Sequence, residues 1–262
     1  MAKKLIEEGS IFVGSNILKH LGNDVFVISN SSGNIAADNI SGDNPSAKQE
    51  EQLCSGLSKI RLTNIKKWKT ESLKDSFENA LYLMSDTAAD AKKLANHFFS
   101  GAGKMFIFND STNISKEIKE SDEFKSFTKS LLDELKKEMG DGSLKKENKN
   151  GTYDILRITN VSLPFYGVAN VVGKNDDAAA ILGGIQLAIV KYKLYKNDNK
   201  TYTVELPSIY FYDSFGAGWE DACNTLKSYA NGLVSMFVLQ HYRNIGDKTK
   251  YQPFVIGVEI NF

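Results

Sequence analysis

The sequence predicts an α+β protein: a helical N-terminal part followed by a C-terminal antiparallel sheet or half-barrel with one packed helix. Two observations carry this. Apolar residues recur at steps of three and four over 71–99 and 121–139, and from about residue 152 the period changes to two. Helices therefore precede the strands instead of alternating with them, the order expected of α+β chains.

In chain order, residues 9–35 hold two short apolar runs, Ile11-Phe12-Val13 and Val25-Phe26-Val27-Ile28, punctuated by Gly and Asn. A small hairpin or edge strands are expected there. Residues 31–52 are rich in Ser, Asn, Gly and Asp and contain Pro45, so they read as a linker or mobile loop. Over 71–99, Leu73, Phe77, Leu81, Met84, Ala88, Ala91, Leu94 and Phe98 form one helical stripe, which stops at Gly101-Ala102-Gly103. Over 121–139 the stripe is Phe124, Phe127, Leu131, Leu132, Leu135 and Met139. Ser121 suits the N-cap, Asp122 and Glu123 suit the positive helix end, and Gly140 suits the stop. The polar stretch 140–151 then divides the chain. Residues 1–60 are a short N-terminal segment of unassigned role, 61–150 a helical domain, and 151–262 a β-rich domain.

In the β-rich part, 152–163 reads as a strand. Residues 184–195 and 201–213 read as a hairpin turning at Lys196-Asn197-Asp198-Asn199-Lys200. A helix is expected over 219–243, with Trp219, Ala222, Cys223, Leu226, Tyr229, Leu233, Met236, Phe237 and Gln240 on one stripe. Gly232 inside it costs roughly 1 kcal/mol against Ala, which packing must offset. The last strand alternates Phe254, Ile256, Val258, Ile260 and Phe262 on one face.

Composition removes several function classes. Lys plus Arg number 32 and Asp plus Glu 32, so the chain lacks the basic excess of a nucleic-acid binder. Lys66-Lys67 and Lys145-Lys146 are local basic pairs that read as solvated loops. No apolar run reaches the roughly 18 residues of a membrane span. Cys54 and Cys223 allow a single bridge and no disulfide framework. His20, His97 and His241 share no metal-ligand spacing. The basic opening Lys3-Lys4 is cut short by Glu7-Glu8, so a standard signal peptide is not expected, and the protein is read as made in the cytoplasm. Gly101-Ala102-Gly103-Lys104 lacks the spacing of a phosphate loop.

The residues that point to chemistry cluster after the hairpin. Asp213 ends an aromatic strand, and strand alternation places it on the face of Ile209 and Phe211, opposite Tyr210 and Tyr212. The turn Ser214-Phe215-Gly216-Ala217-Gly218 would bring Glu220 and Asp221 back toward Asp213. Three carboxylates drawn together persist if a cation lies between them or if one is held protonated. The alternative is local: Asp213 as a turn residue, Glu220 and Asp221 as helix-start residues. His241 and Arg243 follow at the helix end, either as packing and dipole partners or as groups assisting a leaving group. His97 reads as a structural residue at a helix end. The tyrosines and phenylalanine of the hairpin (Tyr192, Tyr195, Tyr202, Tyr210, Phe211, Tyr212) read as cross-strand packing or as a surface for a lipid chain.

The order of these features resembles the colicin M group of bacterial toxins, and also bacterial effector-like domains with an Asp-x-Phe-Gly turn. The resemblance covers roughly residues 80–262. It rests on His97-Phe98-Phe99-Ser100-Gly101-Ala102-Gly103, Gly184-Ile185-Gln186-Leu187, Tyr212-Asp213-Ser214-Phe215-Gly216, Leu239-Gln240 and Pro253-Phe254. It implies an antibacterial effector, exported by a route other than a standard signal, that hydrolyses the peptidoglycan precursor lipid II in the periplasm of a target bacterium. A divalent cation, Mg²⁺ or Ca²⁺, would be required, and an immunity protein would be a partner. Nucleic acid would not be one, and contact with the membrane surface would come through the substrate only. Asp213 matches the first Asp of the family's Asp-x-Tyr-Asp segment; Phe215 and Gly216 stand in place of its Tyr and second Asp, and no adjacent His-Arg follows. Asp213 is the residue the resemblance carries over; the reading of the residues adds Asp221 or Glu220 beside it as ligands of the cation, and His241 or Arg243 as the group assisting departure of the leaving group. The competing expectation is a non-enzymatic binding or delivery module of a bacterial secretion or toxin system.

Overall fold

The computed structural model describes residues 11–13, 29–30, 33–34, 54–84, 88–101, 103, 105–140, 154–159, 181–182, 185, 187–196, 202–223, 230–246 and 249–262. The fold is α+β, as the change of period predicts. The described helices are α1 (Gly56–Ile65), α2 (Thr70–Met84), α3 (Ala88–Phe99), α4 (Asn113–Glu120), α5 (Asp122–Gly140), α6 (Trp219–Cys223) and α7 (Ala230–Tyr242). The strands are β1 (Ile11–Val13), β2 (Ser29–Asn30), β3 (Gly33–Asn34), β4 (Phe106–Phe108) and β5 (Asp154–Thr159). They continue with β6 (Leu187–Lys196), β7 (Tyr202–Phe215), β8 (Asn244–Ile245), β9 (Thr249–Lys250) and β10 (Phe254–Asn261).

Six strands form the main sheet in the order β1-β5-β6-β7-β10-β4. All neighbours are antiparallel except β10 and β4, which run parallel. The expected antiparallel sheet is therefore mixed at one edge. The reason is chain order: β4 lies between α3 and α4 in the helical half and joins the sheet beside the last strand. The run 11–13 is an edge strand, as expected, whereas Val25 to Ile28 lies outside the described residues, as does the polar stretch expected over 140–151 apart from Gly140, the last residue of α5.

Several boundaries differ from the sequence expectation. The stripe over 71–99 belongs to two helices, α2 and α3; Ser85, Asp86 and Thr87, which favour caps over helix interiors, lie between them. The stretch 219–243 holds α6 and α7, with 224–229 outside the described residues. Helix α1 was not anticipated because it buries only Ser58, Leu62 and Ile65, too few to set a visible apolar period. Helix α4 and β4 are too short for one. By contrast, α5 starts as expected: the Phe124 N–H donates to Ser121 Oγ at 3.1 Å.

One hydrophobic cluster joins the helices to the sheet, with residues from both sides of the 140–151 stretch. Phe124 and Phe127 of α5 meet Phe211 of β7 edge-on, at 5.9 and 5.5 Å between ring centres. Phe98 of α3 packs against Phe77 of α2 at 5.3 Å and against Phe215 of β7 at 6.3 Å. The expectation of a single packed helix thus widens to a helical layer. On the opposite sheet face, Leu187, Ile189 and Tyr212 are buried together.

Cys54 and Cys223 form a disulfide, with Cα atoms 5.0 Å apart and 169 residues between them in sequence. It ties the start of α1 to the end of α6. A loop of that length gives a crosslink worth roughly 5 kcal/mol in the chain-entropy account.

Helix α7 crosses α2 at Gly232. A Cβ added there would lie 2.1 Å from Ala80 Cβ and 3.1 Å from the Ser76 carbonyl oxygen. The glycine's helix-propensity cost is thus offset by a backbone approach no other residue permits. Gly232→Ala is expected to lower unfolding free energy by about 1–3 kcal/mol, although Ala is the better helix former. Chemical denaturation of the two proteins checks it; equal or greater stability in the variant would refute the close crossing.

Candidate functional site

Strand β7 brings Asp213 to its position. Ile209, Phe211 and Phe215 belong to the cluster under the helices, while Tyr212 belongs to the opposite face. Alternation therefore places Asp213 on the helical side, half-buried, opposite Ile256 of β10. The turn after it is anchored twice. The Ala217 N–H donates to Gln240 Oε1 at 2.7 Å, and the Gly218 N–H donates to Asp221 Oδ2 at 2.9 Å.

These two bonds sort the predicted residues. Asp221 is a cap: its carboxylate holds the N–H at the start of α6. Glu220 lies within α6, and its side chain falls outside the described residues. Gln240 is the residue the sequence reading placed on the apolar stripe without assigning it to the turn. A lone amide on a buried helix stripe is the signal that marks it, because a buried amide needs a partner.

His241 and Arg243 end α7 but do different work. His241 is buried, its ring centre 4.4 Å from that of Phe237 one turn earlier. Arg243 reaches back to the connection between α1 and α2. Its Nη2 donates to the Lys66 carbonyl at 2.5 Å and to the Trp68 carbonyl at 3.1 Å, and its Nη1 donates to the Tyr242 carbonyl at 3.0 Å. These include carbonyls left at the end of a helix, which a guanidinium satisfies well.

Of the five predicted residues, Asp213 and Asp221 lie at the two ends of the segment joining β7 to α6, whereas Arg243 is committed to backbone carbonyls. Asp213 and Asp221 supply two carboxylates. Among the described residues, no group of three His, Cys, Asp or Glu side chains is placed to hold a metal ion. His97 packs at the end of α3 against Phe254 and Phe106, ring centres 4.6 and 5.0 Å away, in keeping with a structural role.

The hairpin aromatics whose side chains are described lie wholly or partly in the interior. Tyr192, Phe211 and Tyr212 are buried, and Tyr210 is half-buried. The Tyr210 hydroxyl donates to Glu259 at 2.7 Å. Burial, and then that hydrogen bond, push the Tyr210 phenol from 10.0 up to about 12. Burial raises Tyr212 beside it as well. A second carboxylate role also emerges only in the fold. Asp90 is buried, accepts the Asn113 and Ile114 N–H groups at 3.0 and 3.3 Å, and so caps α4 from another helix. No protein-family model, curated protein or solved structure matches the chain.

Two outcomes follow from this geometry. Arg243→Lys cannot reproduce the fork to several carbonyls and is expected to lose about 1–3 kcal/mol of unfolding free energy; unchanged stability would mean that the guanidinium is not a structural tie. For Tyr210, the folded state holds the phenol proton above the unfolded pKa. The associated stability is fully present below pH 10.0 and is lost as pH rises to about 12. Tyr210→Phe is expected to make the alkaline decline in stability shallower, measured by urea denaturation across that window.

Proposed function

We propose that this chain is a non-enzymatic binding or delivery module of a bacterial secretion or toxin system, built on a toxin-like order of helices and strands. The observation that carries this is the commitment of Arg243 to the carbonyls of Lys66, Trp68 and Tyr242. A cation assisting phosphoester cleavage has to face the charge that develops on the leaving group. Here that cation joins two helices. The cap formed by Asp221 and the burial of His241 support the same reading. The Cys54–Cys223 bridge supports work in an oxidising compartment, outside the cytoplasm.

The second reading is a lipid II hydrolase in which Asp213 and Asp221, joined by Glu220, take Mg²⁺ or Ca²⁺. It is favoured by the half-buried position of Asp213, one tight turn from α6. In both readings the turn from Asp213 to Gly218 is the working segment, held by Gln240.

Purified full-length protein incubated with lipid II, with Mg²⁺, with Ca²⁺ and with EDTA, separates the two. The module reading expects no release of the pyrophosphorylated headgroup under any of these conditions, from protein whose circular dichroism and thermal transition show a folded state. Cation-dependent release that disappears in Asp213→Ala would overturn it and install the hydrolase.

A further inference from the structure

Helix α1 carries an outer face that its role in the core does not explain. Ser58, Leu62 and Ile65 turn inward, whereas Leu57 and Ile60 are 80% and 58% exposed and Trp68, just past the helix, is 36% exposed. The chain from Cys54 to Thr70 contains Lys59, Arg61, Lys66, Lys67 and Lys69 and no Asp or Glu. In a protein of zero net charge, this is a concentrated positive segment. Exposed aliphatics and a tryptophan flanked by cations are the surface chemistry of a helix lying in a membrane interface.

The structure also fixes this face in place. The Cys54–Cys223 disulfide holds the start of α1, and Arg243 holds the carbonyls of Lys66 and Trp68 beyond its end. Little ordering is then needed on contact, which favours binding. The charge decides among occupants. A second copy of this chain would bring the same positive segment face to face with itself. A single convex helix offers no cleft for a peptide. An anionic bilayer supplies both negative headgroups for the lysines and an apolar layer for Leu57, Ile60 and Trp68. No helix among the described residues is long and apolar enough to cross a membrane, so the contact would lie in the interface plane.

We propose that α1 and the turn through Lys69 form a docking surface for anionic lipid bilayers, through Leu57, Ile60 and Trp68 with Lys59, Lys67 and Lys69 around them. The surface lies on a different element from the Asp213 turn and stands independently of either functional reading.

Co-sedimentation of the full chain with vesicles tests it. One set is phosphatidylcholine alone, the other phosphatidylcholine mixed with phosphatidylglycerol; neither contains lipid II, so failure here leaves the functional reading untouched. The native chain is expected to bind the mixed vesicles, to ignore the neutral ones, and to be released as salt rises. The double variant Lys67→Glu/Lys69→Glu is expected to bind the mixed vesicles at least about tenfold more weakly. Leu57→Ser/Ile60→Ser is expected to weaken binding by at least about tenfold as well. Because these side chains are exposed, circular dichroism and the thermal transition should match the native chain. Equal binding to both vesicle types, no binding, or unchanged binding in either variant overturns the proposal. So does capture of polyglutamate without vesicle binding, which would assign the face to an acidic protein.

Discussion

Helix α7 is buried around its whole circumference from Val234 to His241, and the rest of the structure is arranged to cover it. Val234, Met236, Phe237, Val238 and Leu239 are all buried, as are Ser235, Gln240 and His241 among them, so over these two turns no side of the helix faces water. A helix of that kind needs partners in every direction. Helix α2 crosses it at Gly232, α1 and α6 touch it, and the cluster it belongs to extends to the sheet. The cluster includes Phe77, Phe98, Phe211, Phe215 and Phe254, so helices from the first half and strands from the second complete one interior.

Burying such a helix raises a second requirement: its polar groups and those of its neighbours must be satisfied within the fold. Gln240 meets it for the turn after β7, its Oε1 accepting the Ala217 N–H, while its own Nε2 is buried without a hydrogen-bond partner among the described residues. Arg243, at the exposed end of the same helix, meets it for the carbonyls after α1. The segment around Asp213 is thereby tied to α7 at one point and capped by Asp221 at the next. The residue types that suggest catalysis in the sequence (carboxylates in a tight turn, a histidine and an arginine at a helix end) are also those that best serve as caps and carbonyl ligands. In the fold, Asp221 is used as a cap and Arg243 as a ligand of carbonyls.

The same scaffold explains how α1 can bury so little and still be held in place. A helix of ten residues with three buried side chains has weak support from its own packing. The disulfide at its start and the guanidinium at its end supply the missing constraint, and they leave the outer face uncovered. The apolar and cationic character of that face is consequently a property of the folded surface and plays no part in the interior.

Much of this was legible in the sequence. Period and capping chemistry are local, set by backbone geometry over a few residues, so the order of helices and strands, the Ser121 cap of α5, the alternation of β10 and the face of Asp213 could be read from the chain. The short elements were not legible, because three residues at β4 or three buried positions on α1 are too few to show a period. The two cysteines disclosed that a bridge was possible, and only the fold brought Cys54 and Cys223 together. Arg243 and Lys66 are 177 residues apart in sequence, and Gly232 and Ala80 lie on different helices. Such pairings depend on strand order and helix crossing. Those are settled by how a whole interior packs, and no local pattern records them.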